Sequence, residues 1–330
     1  MKVLIIQTAF IGDVILATPV ISELHRCQPG FTIDVLVRKG NESLLENFSG
    51  IRSVLVWDKR NSKTKQLLST LFKIRKEKYD IVINLQRFAS TGLLTALSSA
   101  KTRIGFDKNP FAFAFSKAIP HEIGEDNYRH ETQRNLELVA DYGVNLSAKP
   151  VLFPSVSDFE KIKPYTNQQY FCIAPTSVWH TKQVPAANWT AFILQLHARY
   201  PQSTIYLLGG PGDNAACDEI LQASLGAKVV NLAGALSFLQ TAALMKTAAM
   251  NFVNDSAPLH ICSSMDAPVT AFFCSTVPAF GFGPLSTQQT IIEVKGLSCR
   301  PCGLHGYKSC PQGHFECAHE LDMTSAIPDC

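Results

Sequence analysis

The chain has 330 residues, of which 46% are apolar and 17% charged, and its formal net charge is +3. These values predict a globular protein of about two domains with sizeable cores. No apolar run reaches the roughly 18 residues that a membrane span needs, and 10 Cys in so long a chain do not indicate a disulfide scaffold. Because the N-terminus lacks a signal peptide and its cleavage site, we expect a cytoplasmic protein.

Short apolar segments without polar alternation predict buried parallel strands, and helical spacing between them predicts an α/β fold. In the first half we expect strands at Val3–Ile6, Ile33–Val37, Val54–Trp57 and Ile81–Asn84, and a later helix at Arg129–Tyr142. In the second half we expect strands at Tyr170–Ile173, Thr204–Leu208, Val229–Asn231, Val269–Phe273 and Ile291–Val294, and one that ends at Val253.

The turn after the first strand is the first candidate site. It runs from Gln7 to Asp13 and leads into a helix predicted from Val14 to Arg26. Gly12 allows a tight turn, and Asp13 stands where the helix begins, as a helix cap or as a functional carboxylate. The turn lacks G-x-G-x-x-G, and no G-x-x-x-x-G-K-[ST] occurs in the chain. Both absences argue against a nicotinamide dehydrogenase and a P-loop enzyme.

The segment from Lys59 to Lys78 is strongly basic, with eight Lys or Arg against one acid, Glu77. Apolar residues lie inside it at roughly helical spacing: Leu67, Leu68, Leu71, Phe72 and Ile74. Such a helix can lie on anionic lipid or meet a phosphorylated acceptor. It can equally be a solvated helix face, and the sequence leaves both interpretations open.

A segment rich in Pro, Ser, Lys and Asn separates the two arrays of strands and helices. We therefore predict an N-terminal domain at residues 1–150, a linker at 151–168 and a C-terminal domain at 169–330. Two such arrays joined by one linker indicate two Rossmann-like domains facing across a cleft.

In the second half, every candidate site residue follows a predicted strand. Thr176, Ser177 and Lys182 follow the first of these strands, and the glycine-rich turn that contains Gly210 follows the second. Later strands lead into Asp255–His260 and Cys274–Pro278. Hydroxyls, backbone amides and one lysine at the carboxyl edge of a sheet suit a diphosphate better than a metal ion.

The segment Asp255–His260 begins a short helix directly after a strand. Ser256 or Asp255 can cap this helix, Ala257 follows, and Pro258 falls in the first turn, where a missing N–H has no cost. An acid, a hydroxyl and a His at a helix N-terminus predict an anion site. The alternative is an N-capped helix in which His260 only packs against its neighbours.

The C-terminal tail carries four cysteines at Cys299, Cys302, Cys310 and Cys317, with histidines between them. The Cys-x-x-Cys pair and two later cysteines are compatible with a zinc site. The later pair is separated by six residues instead of two, so the four residues can equally be free thiols or form a disulfide.

Four segments in order along the chain resemble glycosyltransferase family nine, the ADP-heptose:lipopolysaccharide heptosyltransferase family. Ile11–Pro19 is similar to its N-terminal I-G-D motif, and Ser177–Lys182 is similar to its serine-to-lysine loop. Asn254–His260 resembles its D-[ST]-[GA]-x-x-H segment, and Cys274–Pro278 resembles its late loop.

The resemblance implies a GT-B fold and metal-independent, inverting sugar transfer without a cofactor. It implies that the N-terminal domain binds the acceptor and the C-terminal domain binds the nucleotide sugar. Asp13 then matches the general base, and Lys182 stabilises the departing diphosphate together with groups near Ser256. Thr176, Ser177, Asp255 and His260 carry over as donor-site positions. We add Gly210 and Ala257, from the glycine-rich turn and the start of the later helix, to the predicted donor-binding residues.

We therefore expect transfer of a sugar, heptose from ADP-heptose, onto a lipopolysaccharide core or a related surface glycan. The expected partners are an ADP-sugar, a lipid-linked glycan and the inner face of the membrane as a peripheral contact, but no nucleic acid. The alternatives are a nucleotide-sugar epimerase of the same fold and a non-catalytic protein that binds a glycan or a nucleotide sugar.

Overall fold

The computed structural model describes residues 1–59, 62–124 and 128–328. Within these ranges, Lys63 is described by its backbone only. The chain divides into two compact units, Met1–Phe153 and Pro154–Cys330. The boundary falls within the segment 151–168 that the sequence predicts to be a linker. That segment also contains a helix, α5 (Val156–Ile162), which packs on a helix of the second unit.

The first unit is a parallel six-stranded sheet with the strand order β3-β2-β1-β4-β5-β6, which is the order of a Rossmann fold. Its strands are β1 (Lys2–Gln7), β2 (Thr32–Arg38), β3 (Ile51–Trp57), β4 (Ile81–Asn84), β5 (Thr102–Phe106) and β6 (Lys117–Ile119). Its helices are α1 (Ile11–Cys27), α2 (Lys63–Glu77), α3 (Ala89–Ala96) and α4 (Glu131–Glu137).

Helix α1 contains a proline, Pro19, and a neighbouring threonine compensates for it. Proline has no N–H to donate to the carbonyl four residues earlier, which belongs to Ile15. The Thr18 hydroxyl donates to that carbonyl at 2.7 Å. The same hydroxyl oxygen accepts a hydrogen bond from the N–H of Val151 at 2.9 Å. The helix therefore continues through Pro19, and Thr18 binds the last residues of the unit.

The second unit repeats the same strand order in a second parallel sheet, β12-β11-β10-β7-β8-β9. Its strands are β7 (Tyr170–Ala174), β8 (Thr204–Leu207), β9 (Val229–Asn231), β10 (Met250–Asn254), β11 (Val269–Phe273) and β12 (Gln289–Glu293). Its other helices are α6 (Ala186–Arg199), α7 (Asn214–Ala223), α8 (Phe238–Thr247), α9 (Ala257–Met265) and α10 (Glu316–His319). The α/β class expected from the sequence is confirmed.

Buried aromatic rings hold α6 against the second sheet. The rings of Trp189 and Phe272 meet edge to face at 5.2 Å between centroids, and those of Phe192 and Phe252 at 4.8 Å. All four side chains are at most 1% exposed. Edge-to-face pairs add to the free energy gained by burying the rings. This core fixes the carboxyl ends of β7, β10 and β11, where the candidate residues of the second unit lie.

Some elements differ from those expected. Strands β5 and β6 were not predicted, and the helix expected at Arg129–Tyr142 is only α4 followed by a separate 3-10 turn at Ala140–Tyr142. Gly143 ends that turn with a φ of 75°, in the left-handed region that glycine tolerates best. Across the described ranges, every helix is too short or too polar to cross a bilayer.

Candidate active site

The carboxyl ends of three neighbouring strands of the second sheet, β7, β10 and β11, carry the predicted donor residues. Strand β10 lies between the other two, so the loops that follow these strands meet at one edge of the sheet. This is the edge at which open α/β sheets bind their ligands. The structure thus brings together the segments Pro175–Lys182, Asp255–His260 and Cys274–Pro278, which are far apart in sequence.

Lys182 and Asp255 form an ion pair at this edge. The ammonium nitrogen lies 2.7 Å from Oδ2 of Asp255, and the two side chains are 15% and 5% exposed. The Thr276 hydroxyl donates to the same Oδ2 at 2.6 Å. The carboxylate of Asp255 therefore balances the positive charge of the partly buried lysine, and the Thr276 hydroxyl holds that carboxylate in place. The sequence marked the loop that contains Thr276 but not Thr276 itself.

The loop from Pro175 to Val184, which contains Lys182 and is called the lysine loop here, is bonded to β10 at both ends by Asn254. The amide nitrogen of Asn254 donates to the carbonyl of Pro175 at 2.7 Å, and its side-chain oxygen accepts from the N–H of Val184 at 3.1 Å. The side chain is fully buried. These two bonds hold the loop strongly, because breaking either one would leave a buried polar group without a hydrogen-bond partner. The sequence places Asn254 at the start of a matched segment but gives it no role in the site.

Helix α9 begins beside the ion pair. Ser256 is its N-cap residue and Ala257 its first residue, but the Ser256 hydroxyl contacts the carbonyl of Asn254 at 3.5 Å instead of capping the helix. The positive end of the helix dipole therefore faces the same region as Lys182. His260 lies one turn further on, is 5% exposed, and its ring is 6.4 Å from that of Phe282. This burial agrees with the packing interpretation of His260.

Two other predicted donor segments lie near this edge. Thr176 and Ser177 are half-buried in the loop after β7, where the Ser177 carbonyl accepts a hydrogen bond from the Gln183 side chain at 2.8 Å. The backbone N–H of Gly210, which we expected to face a ligand, donates to the Asp213 carboxylate at 2.7 Å. That turn is therefore closed by its own aspartate.

In the first unit, Asp13 lies in the first turn of α1, which follows β1. One of its carboxylate oxygens, Oδ2, accepts from the backbone N–H of Phe10 at 3.1 Å, and the side chain is half-buried. The carboxylate is thus held at the carboxyl edge of the first sheet. Asp13 caps the helix, and its half-exposed carboxylate can also be reached by a ligand.

A half-buried lysine shares that edge. The ammonium of Lys59 donates to the carbonyl and the hydroxyl of Thr8, both at 2.9 Å, and lies 4.7 Å from the centre of the Trp57 ring. Burial, with the charge of Arg38 nearby, lowers the pKa of Lys59 to about 8. Thr8 in turn donates to the Gln86 side chain at 2.8 Å. This lysine was visible in the sequence only as one member of a basic run.

The described part of the cysteine-bearing tail does not have the geometry of a metal centre. Within residues 1–59, 62–124 and 128–328, no group of three or more His, Cys, Asp or Glu is arranged to hold a metal ion. The four tail cysteines are free thiols. Cys299 lies 3.9 Å from His314, and Cys302 donates to the carbonyl of Cys299 at 3.1 Å. Burial, with Cys302 and Cys310 nearby, raises the pKa of Cys317 to about 11. In the part of the chain that the structure describes, these residues are therefore free thiols.

A model of the family described as glycosyltransferase family 9 (heptosyltransferase) matches residues 68–309. The chain belongs to glycosyltransferase family 9. It is therefore a glycosyltransferase. The matched residues include the loop that contains Lys182, the start of α9 and the loop after β11.

Proteins similar to this family 9 chain agree with the assignment. Lipopolysaccharide heptosyltransferase 3 of Escherichia coli is 28% identical over 281 residues, which cover 81% of this chain and 82% of that protein. The structure of ADP-heptose LPS heptosyltransferase II of E. coli has a TM-score of 0.76 at 18% identity, covering 99% of this chain and 98% of that one. An E. coli heptosyltransferase solved with ADP has a TM-score of 0.72 at 20% identity, covering 88% and 92%. The expected GT-B fold is confirmed.

Proposed function

We propose that this protein is an inverting, metal-independent heptosyltransferase that moves heptose from ADP-heptose onto the core of a lipopolysaccharide. The observation that carries the proposal is the meeting of Lys182, Asp255 and Thr276 with the start of α9 at one sheet edge. A cation beside a helix N-terminus is a site for phosphate oxygens. The names of similar proteins support heptose, ADP and lipopolysaccharide as the substrates.

In the proposed reaction, Asp13 accepts the proton of an acceptor hydroxyl. The oxygen attacks the anomeric carbon of the heptose from the face opposite the nucleotide, and the bond from that carbon to the diphosphate oxygen breaks. The electron pair leaves with ADP, whose added negative charge is stabilised by Lys182 and the amides at the start of α9. Attack from the opposite face inverts the anomeric configuration.

Asp255 has a definite part in this mechanism. It holds the Lys182 ammonium in place and keeps it neutralised before the donor binds. The diphosphate then replaces the carboxylate as a partner of the ammonium, while Thr276 continues to hold Asp255. Thr176 and Ser177 contribute hydroxyls from the loop that carries Lys182, and His260 and Gly210 complete the proposed donor-binding residues.

The test is ADP release by the purified protein from ADP-heptose, with a lipopolysaccharide acceptor that lacks its outer heptose. We expect release only with the acceptor, no loss of rate in excess EDTA, and a product whose anomeric configuration is opposite to that of the donor. Retention of configuration, or a requirement for divalent metal, contradicts the mechanism. Conversion of the donor sugar without acceptor would identify an epimerase instead.

We also propose that helix α2 contacts the inner face of the membrane as a peripheral element of a cytoplasmic enzyme. Its inner face is fixed by Thr70 and Ile74, which are 4% and 0% exposed. Its outer face exposes Leu68 and Phe72, which are 50% and 71% exposed. The same outer face carries Lys65, Leu68, Ser69, Phe72, Lys73 and Lys76.

This outer face of α2 combines the two features that bind a helix to anionic lipid. An aromatic and an aliphatic side chain one turn apart can enter the headgroup layer, and lysines on both sides meet the lipid phosphates. Each such lysine contributes about 1 kcal/mol near an anionic surface. Arg60, which belongs to the same basic run, lies outside the described residues.

A further inference from the structure

Part of the C-terminal tail, residues 299–307 (the tail segment), lies against both loops of the donor site, and Thr181 is the centre of the contact. Thr181 precedes Lys182 and is 1% exposed. Its hydroxyl oxygen accepts from the N–H of Tyr307 at 2.7 Å and from the Ser275 hydroxyl at 3.0 Å. Its N–H donates to the Tyr307 carbonyl at 3.1 Å, and its carbonyl accepts from the N–H of Ser275 at 3.2 Å. One residue thus joins three segments.

A buried arginine ties the tail segment to the loop after β11. The Arg300 side chain is 6% exposed, and its guanidinium donates to the carbonyls of Cys274 and Thr276, both at 2.6 Å. It also pairs with Glu293 at 2.7 Å. The N–H of Cys302 donates to the Ser275 carbonyl at 2.9 Å. The loop that presents the Thr276 hydroxyl to Asp255 is therefore held along its length.

The backbone of the tail segment also packs on the stem of the lysine. Gly306 has a φ of +77°, and a Cβ placed there would lie 3.0 Å from Cγ of Lys182 and 3.0 Å from Oγ1 of Thr181. The same atom would lie 3.3 Å from Cβ of Trp179. Only glycine allows the tail backbone to approach the lysine stem this closely.

We propose that the tail segment is a positioning device for the donor site, in which Thr181 and Gly306 are positioning residues that aim the Lys182 ammonium at the donor diphosphate. A lysine ammonium on a four-carbon stem loses much rotamer freedom when it is ordered. Contacts that restrict the stem before the donor binds reduce that loss, and supporting contacts of this kind hold catalytic groups in place. The inference rests on the proposed contact between Lys182 and the donor diphosphate.

The contacts suit positioning better than simple coverage of the sheet edge. A cover needs apolar contact, whereas here buried polar groups are paired with one another: the Thr181 hydroxyl, the Arg300 guanidinium and the peptide groups between them. Such paired polar networks specify one arrangement of the groups they connect. Both loops that the tail segment contacts contain a residue of the Lys182–Asp255–Thr276 cluster.

Two tail glycines provide a matched pair of variants. Gly306 and Gly313 have φ values of +77° and +79°, but a Cβ at Gly313 would meet nothing within 4 Å. Replacing either glycine with alanine causes the same kind of backbone strain, and only Gly306→Ala presses on Lys182 and Thr181. We expect Gly306→Ala to weaken ADP binding, measured by calorimetry, and to raise the KM for ADP-heptose, each by about tenfold or more. The KM for the acceptor should not change, and Gly313→Ala should behave as the wild type.

A second pair separates positioning from stability. Thr181→Val keeps the shape of the side chain but removes the acceptor for Tyr307 and Ser275, and Thr181→Ser restores it. We expect Thr181→Val to show the same donor-specific loss as Gly306→Ala, and Thr181→Ser to recover donor affinity. This pair decides the question if Gly306→Ala does not fold.

Two results would overturn the proposal while leaving the proposed function intact. One is equal ADP affinity in Gly306→Ala and Gly313→Ala. The other is a Thr181→Val protein that melts at a lower temperature but keeps the donor KM of the wild type. If the wild type itself does not bind ADP, or if Lys182→Ala binds ADP as well as the wild type, the contact between Lys182 and the diphosphate is wrong. The positioning role then falls with it.

Discussion

The ammonium of Lys182 lies 2.7 Å from the carboxylate of Asp255, although 73 positions separate the two residues along the chain. Parallel strands β7 and β10 are direct neighbours, and the loops that follow them bring the two charges together. The pair is nearly buried, so each charge depends on the other for the solvation that water would provide.

Removing the charge of Lys182 should impair transfer strongly. Lys182→Met keeps the apolar stem and removes the ammonium that stabilises the leaving diphosphate. We expect kcat/KM for ADP-heptose to fall by about 10²–10³-fold, the loss typical of one electrostatic contact to a developing anion. The measurement is steady-state ADP release at saturating acceptor. Activity within threefold of the wild type would contradict the assignment, and Lys246→Met on α8 is the control.

Asp13→Asn should slow transfer strongly and leave donor binding intact. The amide oxygen can still accept from the N–H of Phe10, so α1 keeps its cap, but an amide cannot take the proton of the acceptor hydroxyl. General-base catalysis supplies about 10²–10⁴-fold, so we expect kcat to fall in that range. ADP affinity by calorimetry should equal that of the wild type. If Asp13→Asn keeps full activity, another group is the base.

Lys59 should titrate near pH 8 in the folded protein. Its pKa falls from 10.5 to about 8 because burial disfavours the ammonium. Between these two pH values the unfolded chain binds the proton and the folded chain does not, so stability increases as the pH rises through this window. Relative to Lys59→Met, the wild type should gain unfolding free energy from pH 7.5 to pH 9.5, measured by urea denaturation.

Direct titration provides a check on this prediction. The ¹³C NMR signal of the Lys59 Cε should have its midpoint near pH 8, with the signal assigned through its absence in Lys59→Met. A midpoint above pH 10, together with a stability difference that does not change with pH, would show that the ammonium is not disfavoured in the fold.

Membrane contact through the outer face of α2 should need its apolar residues as well as its lysines. Leu68→Ser with Phe72→Ser should reduce co-sedimentation with anionic vesicles about tenfold without loss of stability, because both side chains are exposed. Lys73→Gln with Lys76→Gln should have a similar effect, and binding should weaken in high salt. Leu225→Ser is the control, since Leu225 is 80% exposed in the second unit. Equal binding by all variants would mean that α2 is only a solvated helix face.

The clearest strand signal in the sequence belongs to strands whose side chains are buried on both faces. Val3–Ile6 in β1 is fully buried, and its uninterrupted apolar run is the pattern of a central parallel strand. Strand β5 was not recognised because its residues Thr102–Phe106 include Thr, Arg and Gly, which have no such pattern. Strand β6 is the sequence Lys117-Ala118-Ile119, which has no apolar run to mark it, whereas the equally short β9 begins with two valines.

The site could be predicted as a set of loop positions but not as a set of contacts. Each strand end indicated a candidate segment, and Lys182 and Asp255 were identified on that ground. In the sequence, Asn254 is only the last residue of a strand. Its role depends on hydrogen bonds to Pro175 and Val184, which are far away along the chain. Thr181 was hidden for the same reason, because its partners lie in the loop after β11 and in the tail.

The arrangement around Pro19 has a consequence for protein engineering. Replacing a proline inside a helix is ordinarily expected to strengthen it, because the missing hydrogen bond returns. Here the restored N–H would compete with Thr18 for the carbonyl of Ile15, and the Thr18 hydroxyl also receives the N–H of Val151. A substitution that improves the helix would thereby loosen the point at which the chain leaves the first unit. The missing helical hydrogen bond at Pro19 therefore belongs to the contact that holds Val151 against α1.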